Sequence, residues 1–355
     1  MTPKYHTLRI ADVRRETPDC ISLKFDVPPE LVGDYQFVQG QHLGLRATLE
    51  GEEFRRSYSI CSGLDDGEIR VAIKKVGGGR FSQWAHEALK PGDPIEVMTP
   101  EGRFFTRLDP QRSRHYAAFV AGSGITPVLS LIRTTLAREP KSRFTLVYGN
   151  RRQSSVMFHE ALEDLKDRYL TRFSLYNVFS RETQDVDLFN GRIDAAKVRE
   201  FLDSLLPVET IDEAFVCGPL TMIDEVEVAL LRAGMPAHHV HVERFGIATG
   251  PAQPIDDTDA AQSHIDLIID GVRREVSFIP GQQSILEAGR DAGIDLPFSC
   301  KGGMCSTCRA KVLEGQVKMA KNYALEPHEV ADGFVLTCQS YPVTERVVIS
   351  YDARS

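Results

Sequence analysis

Asp295-Leu296-Pro297-Phe298-Ser299-Cys300-Lys301-Gly302-Gly303-Met304-Cys305-Ser306-Thr307-Cys308, followed after 29 residues by Cys338, decides how this chain is read. The spacing is Cys-x4-Cys-x2-Cys with a distant fourth cysteine. It suits two irons bridged by two sulfides, each iron held by two thiolates. Gly302, Gly303, Ser306 and Thr307 are small, so the loop can wrap closely and aim backbone N–H groups at sulfur. A four-cysteine zinc site and four unrelated thiols are the other readings; zinc usually takes two close cysteine pairs, and here Cys338 stands alone. Seven cysteines spread over 355 residues make a poor disulfide framework. Met1–His6 lacks an apolar signal core. The expected compartment is the cytoplasm, where thiols stay reduced.

The composition is that of a globular protein, 42% apolar and 26% charged, with a net charge of −8. This excludes a disordered chain, and an acidic chain is a poor sequence-independent nucleic-acid binder. Upstream of the cysteine loop, Ile265–Ile269 and Val272–Phe278 read as a hairpin around Asp270-Gly271. Residues 246–262, rich in Gly, Pro, Ala and Asp, read as a linker.

Residues 1 to about 108 hold short alternating segments separated by Gly, Pro and Asp turns, with one helix near Phe81–Leu89; this predicts a β-barrel or sandwich. From about 112, strands (Tyr116–Ala121, Phe144–Tyr148, Phe173–Phe179, Glu213–Cys217) alternate with helices, which predicts an α/β parallel sheet covered on both faces. The expected layout is an antiparallel β-barrel at 1–110, an α/β domain at 111–246, a linker at 247–262 and a third, α+β domain at 263–355.

Two phosphate-binding candidates stand out. Arg56-Ser57-Tyr58-Ser59 ends a β segment, and Gly77-Gly78-Gly79-Arg80-Phe81-Ser82 leads into a helix. Arg56 can neutralise a pyrophosphate, the helix start and Ser82 can donate to it, and Tyr58 can stack on a flavin ring. Ala121-Gly122-Ser123-Gly124-Ile125-Thr126-Pro127 follows a buried strand, with Thr126 as expected helix cap and Pro127 at the first helical position. Either Gly run alone is also compatible with an ordinary turn. Val147-Tyr148-Gly149-Asn150-Arg151 and Val216-Cys217-Gly218-Pro219 fall at strand C-termini, where open α/β sheets bind ligands. Ser180 and Arg181, assisted by Arg192, supply a hydroxyl and guanidinium suited to a 2′-phosphate, which predicts NADPH over NADH; a solvated surface Arg is the plainer alternative.

The cysteine segment, with Leu336-Thr337-Cys338-Gln339, resembles plant-type ferredoxins over about the last 90 residues, which implies a β-grasp ferredoxin fold for the domain at 263–355. The Arg-x-Tyr-Ser and Gly-rich segments resemble the ferredoxin–NADP reductase superfamily. That resemblance implies FAD on the barrel at 1–110, with FMN as the minor alternative, and a nicotinamide nucleotide on the α/β domain at 111–246. It places Ser59 near flavin N5, Ala72-Ile73-Lys74 along the ribityl chain and flavin edge, Cys217 beside the nicotinamide, and Glu243 near the flavin. Where that superfamily often has Pro-Gly-Gln, this chain has Gln39-Gly40-Gln41.

The segments Tyr5–Val13, Glu53–Ser62 and Val71–Ser82 resemble the family of reductase subunits of phenylacetyl-CoA 1,2-epoxidase. The resemblance implies electron flow from NADPH through FAD and [2Fe–2S] to a partner di-iron oxygenase, in aerobic phenylacetate breakdown. Reductases of steroid 9α-hydroxylases or ring-hydroxylating oxygenases, using NADH, are the alternative. The flavin converts a two-electron hydride into single electrons. No Glu-x-x-His carboxylate set is evident on the helices, so oxygen chemistry is assigned to the partner. A stand-alone flavoenzyme or a redox-sensing interaction protein are readings of a different class. Cys20 and Cys61 receive no role.

Overall fold

The computed structural model describes residues 4–245, 263–278 and 283–353, so the expected linker at 247–262 lies outside the described residues. The chain divides into two compact units. One is built on His6–Phe54 and Tyr58–Phe245, the other on the described part of Gly246–Ser355.

In the first unit, β1 (Tyr5–Thr17), β2 (Cys20–Asp26), β3 (His42–Leu49), β4 (Glu52–Ser59), β5 (Ile69–Lys74) and β6 (Pro94–Met98) form a sheet ordered β4-β3-β6-β1-β2-β5. The pairs β1/β2, β2/β5 and β3/β6 are antiparallel. Just past β4, Ile60 bridges Val71 of β5, and the Cys61 N–H donates to the Arg70 carbonyl at 2.8 Å. These contacts join the first strand of the order to the last and close the barrel. Leu8, Ile10, Leu23, Leu43, Leu45, Val71 and Val97 fill it. Helix α1 (Arg80–Ala88) adds Phe81 and Ala85 to the same core.

β7 (His115–Ala121), β8 (Arg143–Asn150), β9 (Phe173–Phe179), β10 (Glu213–Gly218) and β11 (Val240–Arg244) form a parallel sheet ordered β11-β10-β7-β8-β9. Helices α2 (Ile125–Arg138) and α3 (His159–Arg168) cover one face, α4 (Ala195–Ser204) and α5 (Leu220–Arg232) the other. β7 shows the two-residue period: Tyr116, Ala118 and Val120 join the α2/α3 core, and Ala117 and Phe119 the α4/α5 core. β11 escapes a sequence reading. It is an edge strand of only five residues, all half-buried, and the alternation of Val240 and Val242 with His241 and Glu243 is too short to stand out.

The strand order reverses between β7 and β10, so the segments leaving these two strands flank the crevice where such sheets bind ligands. Helix α2 is also stapled to the barrel. Ser130 Oγ donates to the Ser62 carbonyl at 2.7 Å, and Thr134 Oγ1 accepts from the Leu64 N–H at 3.2 Å. Arg133 and Arg138 pair with Asp66 and Asp65. Cys20 and Cys61 are buried in the core shared by barrel and α2.

In the second unit, β12 (His264–Ile269), β13 (Val272–Ser277), β14 (Arg309–Glu314), β16 (Phe334–Leu336) and β18 (Arg346–Ser350) form a mixed sheet ordered β13-β12-β18-β14-β16, with β12 and β18 parallel. β15 (Val317–Met319) and β17 (Ser340–Pro342) make a separate ribbon, and α7 spans Pro327–Ala331. Asp270 (φ +50°) and Gly271 (φ +74°) supply the left-handed pair that a two-residue hairpin needs. Helix α6 (Ile285–Asp291) starts on a Ser284/Glu287 capping box and buries Ile285, Leu286 and Ala288 against the sheet. This is the expected α+β arrangement. Among the described residues no helix is long and apolar enough to cross a membrane.

Candidate functional site

The cysteine loop has no regular structure, and its shape comes from left-handed residues: Lys301 at φ +52°, Gly303 at +77° and Ser306 at +51°. Gly303 is required by packing as well, since a Cβ there would lie 3.0 Å from the Lys321 carbonyl oxygen. Cys300 Sγ accepts from the Gly302 and Met304 N–H groups at 3.3 and 3.4 Å, and the Cys300 N–H points at Cys305 Sγ at 3.5 Å. Across the core, Thr337 binds the Cys308 carbonyl through both its N–H (3.1 Å) and its hydroxyl (3.0 Å), and Tyr351 Oη donates to Thr337 Oγ1 at 2.9 Å. This fastens Cys338 beside Cys308.

The loop therefore brings Cys300 and Cys305 together through the Cys300 N–H, and Thr337 ties Cys308 to the segment bearing Cys338. Among the described residues no three His, Cys, Asp or Glu side chains are grouped as for a single metal ion. Hydrogen bonding from Cys305, then from Gly302 and Met304, lowers the Cys300 pKa to about 6 against the opposing effect of burial. The Cys300 thiol, then burial, pushes Cys305 up; Cys338, then burial, does the same to Cys308. Four crowded soft thiols with N–H groups aimed at sulfur, and a buried Ser299 hydroxyl without a partner, fit a [2Fe–2S] cluster.

The flavin candidates are carried by β4 and α1. Ser59 is buried, and Ser57 Oγ is buried without a hydrogen-bond partner, a polar atom left for a ligand to satisfy. Arg56 donates to the Arg55 carbonyl at 2.8 Å. Tyr58 stacks on Phe81 with centroids 5.9 Å apart. Arg80 pairs with Glu50 and Glu52 and lies over Phe54, so it braces the β3–β4 turn. Ser82 Oγ donates to the Gly79 carbonyl at 3.0 Å and accepts from the Val76 N–H at 3.1 Å, which fixes the glycine turn. No side chain caps α1, so its first N–H groups face outward from Gly79. Ala72 and Ile73 are buried in β5, and Lys74 reaches Asp19 at 3.6 Å. In Gln39-Gly40-Gln41, Gly40 is obligatory: its φ is +84°, and a Cβ would sit 1.9 Å from the Phe104 carbonyl oxygen.

The nicotinamide candidates gather at the switch point. Helix α2 does not begin as the sequence reading expects, with Thr126 as cap and Pro127 first. It begins two residues earlier, at Ile125 with Gly124 in the N-cap position, after a 3-10 turn at Gly122–Gly124, and no side chain caps either. Pro127 has no N–H to offer the Ser123 carbonyl, and Thr126 Oγ1 donates to that carbonyl instead, at 3.0 Å. Gly122 is left-handed at φ +55° and faces open space; Gly124 is pressed against the backbone of Cys217.

Cys217 is fully buried and pairs in register with Glu243 of β11. Burial, then the Glu243 carboxylate, pushes its pKa well up and keeps the thiol neutral. Gly218 and Pro219 lead from β10 into α5. On the other side, the Ser180 N–H donates to the Asn150 carbonyl (3.0 Å), the Arg181 N–H to the Arg151 carbonyl (2.9 Å), and the Gly191 N–H to the Phe179 carbonyl (2.8 Å). These bonds bring Arg151, Ser180, Arg181 and the segment ending at Arg192 to one strand end, all exposed. Asn150 Nδ2 is buried there without a partner. Tyr148 lies inside the Val147–Arg151 motif but receives no role of its own from the sequence reading; a buried phenol needs a hydrogen-bond partner, and its hydroxyl donates to the Gly122 carbonyl at 2.9 Å.

Three family models match the chain: an oxidoreductase FAD-binding domain at residues 7–106, an oxidoreductase NAD-binding domain at 119–227, and a 2Fe-2S iron-sulfur cluster binding domain at 267–343. The chain is 46% identical over 350 residues to a subunit of the 1,2-phenylacetyl-CoA epoxidase of Escherichia coli K12, covering 99% of this chain and 98% of that one. It is 31% identical to the ferredoxin reductase component of 3-ketosteroid-9-alpha-monooxygenase from Rhodococcus rhodochrous, covering 97% and 96%. Among solved structures it resembles phthalate dioxygenase reductase, with a TM-score of 0.59, 25% identity and 98% of each chain covered.

Proposed function

Because the chain belongs to the family of ferredoxin-reductase-type flavin and iron–sulfur oxidoreductases that includes this phenylacetyl-CoA epoxidase component, we propose that it supplies electrons to an oxygenase acting on phenylacetyl-CoA. Its cofactors are FAD, a nicotinamide nucleotide and a [2Fe–2S] cluster. When bound, the flavin supplies conversion of a hydride into single electrons, and the cluster supplies one-electron carriage. The observation that carries the reading is the occurrence on one chain of a Cys300–Cys308 loop with backbone N–H groups aimed at sulfur and tied through Thr337 to Cys338, and of a nucleotide turn, Gly122–Pro127, abutting Cys217.

The residues divide the work as follows. Arg56, Ser57, Gly79, Ser82 and the start of α1 hold the flavin pyrophosphate; Tyr58, Ser59 and Ala72–Lys74 hold its ring and ribityl chain. Gly122–Pro127 and Cys217–Pro219 hold the nicotinamide half. The neutral, buried Cys217 thiol, with the Glu243 carboxylate in register beside it, backs the nicotinamide end of the site. Arg181 and Arg192, with Ser180, take a 2′-phosphate, which makes NADPH the preferred donor; the neighbouring Glu182 carboxylate is occupied by the Gln153 N–H at 3.0 Å. The partner is a di-iron oxygenase, and the compartment is the cytoplasm. The lower identity to the steroid enzymes makes that alternative second.

The test is anaerobic addition of NADPH to the coloured holoprotein, followed by cytochrome c, and then capture of partners from cells grown on phenylacetate. Sequential bleaching of the flavin and cluster bands, and capture of a di-iron oxygenase, are expected. Equal kcat/KM for NADH and NADPH would remove the NADPH assignment. Cytochrome c reduction that survives Cys305→Ser would remove the cluster from the electron path.

A further inference from the structure

We propose that Tyr148 is a positioning residue for the nucleotide: its buried hydroxyl fixes the peptide plane that aims the first N–H of the dinucleotide turn. The inference rests on Gly122–Pro127 being the pyrophosphate turn. Tyr148 is fully buried on β8, and its hydroxyl donates to the Gly122 carbonyl, 26 residues away in sequence, at 2.9 Å.

The same carbonyl also accepts the Ile125 N–H. Its two lone pairs are thus both engaged. The peptide joining Gly122 to Ser123 is planar and trans, so fixing the carbonyl direction fixes the Ser123 N–H in the opposite direction. That N–H belongs to the first turn of the α2 assembly, whose donors have no intrahelical acceptor and form the anion-binding end.

Something must hold this plane, because Gly122 is glycine at φ +55° with no atom within 4 Å of where its Cβ would be. Glycine crosses between left- and right-handed conformations at little cost, and no neighbouring side chain confines it. The Ile125 N–H alone is a hydrogen bond of the turn and would move with it. Tyr148 belongs to the sheet, where β8 pairs with β7 and β9, so its hydroxyl ties the turn to a rigid element.

The test is Tyr148→Phe in the holoprotein, with NADP+ and NAD+ titrated by the flavin difference spectrum and NADPH reduction followed by stopped flow. Losing one neutral hydrogen bond should raise the nucleotide Kd and KM by about three- to tenfold. The flavin bleaching rate at saturating nucleotide should stay within about twofold. Unchanged affinity for both nucleotides in a variant that keeps its flavin would overturn the proposal. If wild-type protein shows no nucleotide-dependent spectrum, the underlying assignment of the turn fails instead. If Tyr148→Phe loses flavin, Gly122→Ala carries the test. Its Cβ meets open space but disfavours the left-handed conformation, so nucleotide affinity should fall while flavin is retained, and unchanged affinity would overturn the proposal.

Discussion

A Cβ placed on Gly124 would lie 2.2 Å from the carbonyl oxygen of Cys217 and 2.5 Å from its carbonyl carbon. The obstructing atoms are backbone, so neither side yields cheaply. Gly124→Ala must push the start of α2 away from the end of β10. We expect a loss of about 1–3 kcal/mol in stability and a weaker nucleotide affinity, because the two motifs separate. Thermal melting together with NADP+ titration checks this. A variant that melts like wild type would show that the contact is looser than the geometry indicates.

Local patterns are legible in the sequence, and relationships between distant segments are not. The cysteine spacing announces its chemistry because three ligands lie within nine residues of one loop. β7 is legible as an unbroken apolar run because both faces of that strand are buried. The expected Thr126 cap fails because capping preference says nothing of which carbonyl Pro127 leaves vacant. The Tyr148–Gly122 bond cannot be read at all: it exists only once β7 and β8 are paired. Strand β11 goes unread because its alternation, Val240 and Val242 against His241 and Glu243, covers too few residues on a half-buried edge.

Ser130 and Ser62 give the next expectation. The Ser130 hydroxyl is fully buried and donates to the Ser62 carbonyl, three residues beyond Ser59. It links the helix that carries the nucleotide turn to the strand end that carries the flavin motif. Ser130→Ala leaves that carbonyl short of a donor and should cost about 1–3 kcal/mol. It should also slow hydride transfer more than it raises the nucleotide Kd, since what shifts is the distance between two intact motifs. Stopped-flow reduction at saturating NADPH separates the two effects. A pure affinity loss would contradict this expectation.

Thr337 ties Cys308 to the strand end bearing Cys338 through two bonds to one carbonyl, and Tyr351 orients its hydroxyl. Thr337→Val keeps the shape and the N–H bond but removes the hydroxyl bond. We expect faster loss of the visible cluster absorbance under a chelator, with flavin content unchanged. Tyr351→Phe should have a smaller effect in the same direction. Equal cluster lifetimes in all three proteins would show that the strand ends are held by packing alone.

Acid should destabilise the first unit well before its carboxylates protonate. His42 and His115 are only 6% and 8% exposed. Burial lowers both pKa values to about 4, with the Arg143 charge adding to the effect at His115. His115 is held as a neutral ring by the Thr210 carbonyl at 3.0 Å and Thr145 Oγ1 at 2.8 Å. In the unfolded chain both rings titrate near 6.5. Between pH 6.5 and 4 the unfolded state therefore binds more protons than the folded state, and stability rises with pH across that window. At pH 5 each histidine should cost about 2 kcal/mol relative to pH 7.5. Glu213, whose pKa is lowered despite burial by His241 and Arg114, loses its contribution only below its unfolded value of 4.5, a separate window. Urea unfolding at pH 7.5 and 5.0 measures the difference, and His42→Gln should remove about half of it. A pH-independent midpoint, or a drop untouched by replacing either histidine, would mean that other groups set the acid limit.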